Sequence, residues 1–152
     1  MRAAELATPF PTVDLDTPAI EAARILAQQN LPGLIVIDNA GFPRTVLPGT
    51  EVLRLALPSY SMEDPALARV FDEASADVFL KRVGDATVAQ CLPPERRELP
   101  VVDPDATVVE VATVMARCRS PLVAVARKGE RMVGAIPLDN LLARILARLA
   151  TD

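Results

Sequence analysis

Apolar positions change their period along this chain, and each change marks an element. Ala19, Ala22, Ala23 and Leu26 recur at helical spacing, as do Val108, Val111, Ala112 and Met115. Both stretches open on a capping signal. Thr17 precedes Pro18 in the first, and Thr107 and Glu110 stand at capping-box spacing in the second. Short apolar runs follow each helix: Leu34 to Ile37 then Thr45 to Leu47, and Leu122 to Val125 then Met132 to Ile136. Runs this short and continuous predict strands covered by helices. Turn residues divide each pair, Asp38-Asn39-Ala40-Gly41 and Lys128-Gly129-Glu130. Helical spacing returns over Thr50 to Leu57 and over Leu138 to Leu149, the latter with a wide apolar stripe at 138, 141, 142, 145, 146 and 149. Short helices are predicted ahead of each block, from Ala3 to Leu6 and from Thr87 to Leu92.

The elements recur because the sequence itself recurs. Pro11-Thr12-Val13-Asp14-Leu15-Asp16 and Pro100-Val101-Val102-Asp103-Pro104-Asp105 lie 89 residues apart and share four of six positions. The match continues from Glu21 to Glu110, Ala23 to Ala112, Pro32 to Pro121 and Val36 to Val125. A one-residue deletion then aligns Gly41 with Gly129 and Leu53 with Leu141. The chain thus divides into a first copy at 1–57, an insert at 58–84 and a second copy at 85–152. Within the insert, Asp64-Pro65 opens a predicted helix with Leu67, Val70, Phe71, Ala74 and Val78 on one face, a pattern that core packing explains.

Composition narrows the chemistry. With 152 residues, 51% of them hydrophobic, the chain can bury a full core, roughly 70% of its unfolded surface. Aromatics make up 3%, so that core is aliphatic and no stacking platform for single-stranded nucleic acid is available. Histidine is absent, which removes imidazole-based triads, most catalytic zinc sites and a neutral-pH switch. A net charge of −4 argues against duplex DNA and anionic membranes as partners. No apolar run approaches the ~20 residues of a membrane span, and no signal peptide is read at the N-terminus, so a cytoplasmic location is expected. Cys91 and Cys118 fall in apolar-periodic segments and are expected to be small buried thiols in a reducing compartment. Asp14, Asp16, Asp103 and Asp105 occupy turn and cap positions, where local capping outweighs a metal or catalytic role.

One family combines these features. The first copy carries Pro11-Thr12-Val13-Asp14-Leu15-Asp16-Thr17, Ala22-Ala23, Leu34-Ile35-Val36-Ile37-Asp38 and Gly41. The second carries Val101-Val102-Asp103-Pro104-Asp105-Ala106-Thr107, Val111-Ala112, Met115, Leu122-Val123-Ala124-Val125 and Met132 to Leu141. In order, spacing and duplication the chain resembles a tandem pair of CBS (cystathionine β-synthase) domains, a Bateman module. The resemblance implies a mixed α/β (α+β) fold of two intertwined β-α-β-β-α repeats with a helical insert. It implies no catalytic residues; without histidine and with no third carboxylate at helical spacing, no metal site is expected either. It also implies two clefts for adenosine-type ligands such as AMP, ADP, ATP or S-adenosylmethionine, pairing into a homodimer, and a regulated protein partner.

In the family's binding pattern a strand ending Gly-h-h (h, apolar) is followed by Thr or Ser, two further residues, then Asp. The hydroxyl and helix start suit a phosphate, and the carboxylate suits a ribose diol. Here Gly134-Ala135-Ile136 leads into Pro137 and Asn140, a weakened version. With the deletion carried forward, the first copy offers Gly49 and Val52, so its cleft is expected to be lost. The candidate ligand residues are Thr12, Pro32, Gly33 and Leu34 with Gly134, Ile136, Pro137 and Asn140. Each has a plainer explanation: Gly134 relieving crowding between strand and helix, Pro137 starting a helix, Asn140 lying exposed on it. Two functions remain open. One is a non-catalytic regulatory module sensing an adenosine-type nucleotide at one degenerate cleft. The other is a dimerisation or partner-docking module with vestigial clefts. Under the first, restoring Thr at 137 and Asp at 140 is expected to tighten nucleotide binding about tenfold.

Overall fold

Capping and side-chain period set the limits of the helices. The computed structural model describes residues 1–31, 33–57, 64, 66, 73–96 and 98–151. Along it follow α1 (Ala3–Leu6), β1 (Thr12–Val13), α2 (Ala19–Gln29), β2 (Gly33–Ile37), β3 (Pro43–Pro48), α3 (Gly49–Ala56), α4 (Glu73–Gly84), α5 (Val88–Cys91), β4 (Val101–Val102), α6 (Val108–Cys118), β5 (Leu122–Val125), β6 (Gly134–Pro137) and α7 (Leu138–Ala150). The Thr107 side chain caps α6, accepting the Glu110 N–H at 3.2 Å. The equivalent helix α2 starts one residue later than its sequence signal. Pro18 is its N-cap, and the Thr17 hydroxyl instead donates to Asp14 Oδ1 at 3.1 Å. The first N–H of α2, that of Ala19, goes to the Ala86 carbonyl, which satisfies one of the donors that a helix start leaves open. Both helices end on a left-handed residue that is not glycine, Asn30 at φ 54° and Arg119 at φ 50°.

Each copy builds a three-stranded sheet, β1-β2-β3 and β4-β5-β6. The first pair in each is parallel, Val13 facing Val36 and Val102 facing Val125. Parallel neighbours need a crossover, which α2 and α6 supply. Strands β5 and β6 are antiparallel, with Leu122 opposite Pro137 and Val125 opposite Gly134.

Two compact units result, and each draws on both sequence copies. One comprises Pro11–Val36 and Val46–Arg96. Its core joins Val13, Leu34, Val36 and Leu47 of the first sheet to Ala19 and Ala22 of α2, and to Val83, Val88 and Cys91 from later in the chain. The other comprises Met1–Phe10, Ile37–Thr45 and Arg97–Asp152. Its core joins Val123, Val125 and Ile136 of the second sheet to Val111, Met115 and Leu141, and to Ala3 and Leu6 of α1. The short helix that opens each copy therefore packs against the other copy's sheet. Burying a side chain such as Leu6 or Val88 contributes roughly 1.5–3 kcal/mol.

Two expectations change. Cys91 is buried but Cys118 is exposed, and both are free thiols. Cys118 is the last residue of α6, and the buried face of that helix ends at Met115. Of the insert's predicted helical face, Leu67, Val70 and Phe71 lie outside the described residues. Val78 is 56% exposed, while Val83, further along the same helix, enters the core. No helix among the described residues is long and apolar enough to cross a membrane, and none of the described His, Cys, Asp or Glu groups clusters to hold a metal.

Candidate functional site

The second copy's strand–helix junction is engaged by the chain itself. Gly134 lies where a Cβ would meet the Thr8 carbonyl oxygen at 2.8 Å. Thr8 reaches that close because it pairs with the next residue of β6. Its N–H donates to the Ala135 carbonyl at 2.9 Å, and the Ala135 N–H donates back at 3.0 Å. The crowding that Gly134 relieves is thus with the segment after α1, rather than between strand and helix. Pro137 is the N-cap of α7, at φ −71° and ψ 151°. The first N–H of that helix, on Leu138, donates to the Pro121 carbonyl at 2.8 Å. Asp139 Oδ1 accepts the Asn140 N–H at 2.8 Å. Asn140 Nδ2 donates to the Leu6 carbonyl at 2.9 Å, which is the open C-terminal end of α1. Ile136 is fully buried in the core beside these groups.

This arrangement is unfavourable for a phosphate. N–H groups at a helix start favour anions only when they are unspent. Here one is taken by Pro121, another by Asp139, and the Asp139 carboxylate adds negative charge to the first turn.

The first copy's junction is one residue out of register with its sequence alignment. Pro48 is the N-cap of α3 just as Pro137 is of α7. Leu47 and Ile136 are fully buried in the strands, and Val52 and Leu141 are buried on the helices that follow. The deletion that aligns Gly41 with Gly129 therefore closes within the turn, and the 89-residue offset resumes in β3. Gly41 and Gly129, at φ 82° and 74°, mark that turn in both copies. Under this register Pro48 answers to Pro137 and Glu51 answers to Asn140, while Val52 is a core residue. Glu51 went unnoticed in the sequence, although the shared proline before each helix was the available signal. It is half-buried and near Cys91, the last residue of α5. Burial pushes the Cys91 thiol up, and the Glu51 charge pushes it further.

The remaining candidates divide between the units. Thr12, half-buried on β1, pairs with Ile35. Gly33 opens β2, where a Cβ would stand 3.0 Å from the Leu47 carbonyl oxygen. Leu34 is fully buried in the first core. These three belong to one unit, and Gly134, Ile136, Pro137 and Asn140 belong to the other. Pro32 lies outside the described residues. The recurring aspartates form local turns, Asp14 Oδ1 accepting the Asp16 N–H at 3.0 Å and Asp103 Oδ1 the Asp105 N–H at 2.9 Å.

The chain matches a known family model, that of the CBS domain, at residues 3–46 and 95–147. The chain belongs to the CBS domain family. It is similar to the crystal structure of a CBS domain-containing protein of unknown function from Kribbella flavida, at 47% identity and a TM-score of 0.88, with 96% of this chain and 99% of that one covered. It is also similar to the CBS-pair protein CBSX2 from Arabidopsis thaliana, at 15% identity and a TM-score of 0.70, covering 99% and 97%. CBSX2 in complex with AMP matches at 15% identity and a TM-score of 0.65, covering 96% of each chain. Likeness at 15% identity shows the CBS-pair fold alone. A search of curated proteins finds no match. Against the family's Gly-h-h-Thr/Ser-x-x-Asp, the first copy reads Thr45-Val46-Leu47-Pro48-Gly49-Thr50-Glu51 and the second Gly134-Ala135-Ile136-Pro137-Leu138-Asp139-Asn140. Both replace the hydroxyl with proline, and only the first keeps a carboxylate.

Proposed function

We propose that this CBS pair is a non-catalytic regulatory module that works by assembly, with a second copy of itself and with the protein it regulates. In this reading its second-copy position is closed to nucleotides. The observation that carries the reading is the Asn140 Nδ2 hydrogen bond to the Leu6 carbonyl. The side chain at the ribose position is spent on holding α1, and Thr8 fills the space over Gly134. The exposed leucines of α7, namely Leu138, Leu142, Leu146 and Leu149 at 40–65% exposure, supply an apolar face for a partner. Calorimetric titration with AMP, ATP and S-adenosylmethionine, beside light scattering on a gel-filtration column, tests the reading. A dimer that takes up none of the three ligands is expected. Saturable uptake that Asn140→Ala abolishes overturns it.

One observation favours a second reading, in which an adenosine-type ligand binds through the first copy. Glu51 is a carboxylate at the ribose position, and a carboxylate can accept both hydroxyls of a diol. The AMP complex of CBSX2 is a precedent within the fold. Here binding survives Asn140→Ala and is lost in Glu51→Gln, which separates the two readings in one set of titrations.

A further inference from the structure

We draw no further inference here: the strongest candidate, the exposed leucine face of α7, already supports the assembly reading, and nothing in the structure shows what covers it.

Discussion

Asn140 is the residue whose chemistry changes most between sequence and structure. As a sequence position it is a weakened ribose acceptor that an aspartate would restore. In the fold its amide is a donor, to the Leu6 carbonyl, and an ionised carboxylate cannot donate. Asn140→Asp is therefore expected to lower stability by about 1–3 kcal/mol, read as a lower urea midpoint. Gly134→Ala is expected to cost a similar amount, about 1–3 kcal/mol, because the added carbon meets backbone at Thr8. Arg119 offers the opposite case. It sits in the left-handed region at φ 50°, where a non-glycine residue costs roughly 1–2 kcal/mol. Arg119→Gly is expected to raise the melting temperature, offset in part by the greater freedom glycine gains in the unfolded chain.

Titration also belongs at this scale. Desolvation pushes the Asp38 carboxyl up, but the Phe42 N–H, the Arg44 guanidinium and the Ala40 N–H together outweigh it and hold it below its ordinary value. Its contribution is present above the unfolded carboxylate pKa and is lost as pH falls through the lower folded value. The Cys91 thiol is shifted up, so its contribution is intact below the unfolded thiol pKa, about 8.5, and is lost as pH rises. With no histidine, urea midpoints are expected to stay level from about pH 5 to 8. They are expected to fall on the alkaline side, by less in Cys91→Ala.

At the level of elements, the short helices α1 and α5 have the widest reach. Four-residue helices are not stable alone, and these are held by what they bury. Leu6 enters the core of the second sheet, and Val88 the core of the first. Leu6→Ala is expected to cost about 2–5 kcal/mol. In hydrogen exchange it should first deprotect β5 and β6, which lie more than 110 residues away in sequence. Val88→Ala should first deprotect β2. If each substitution loosened its own sequence copy instead, the packing described here would be wrong. Local signals gave these helices their positions: Ala3 to Leu6 and Thr87 to Leu92 were readable as short helices. They did not reveal which sheet each helix completes. A side chain's polarity says that it is to be buried and leaves the partner open.

Across the whole molecule, the assembly reading predicts a homodimer, and Leu142→Glu with Leu146→Glu is expected to shift it to monomer in light scattering without lowering the urea midpoint, because both side chains are exposed. The duplication, the element order and the CBS-pair fold were legible from the 89-residue repeat and the alternation of apolar periods, since those depend on neighbours along the chain. The junction of β3 with α3 was not. A one-residue gap in a turn can close before or after the strand, and the burial of Leu47 and Val52, with the proline that heads each helix, sets Glu51, not Val52, in register with Asn140. The exposure of Cys118 and the cap of α2 escaped for the same reason, because the deciding neighbours, the end of a core and the Ala86 carbonyl, come from elsewhere. By itself the sequence determined the order of helices and strands in each copy and that the order occurs twice. The tertiary structure alone decided which segments complete each sheet and how Asn140 is used, because its hydrogen bond joins groups 134 residues apart that only folding brings within reach.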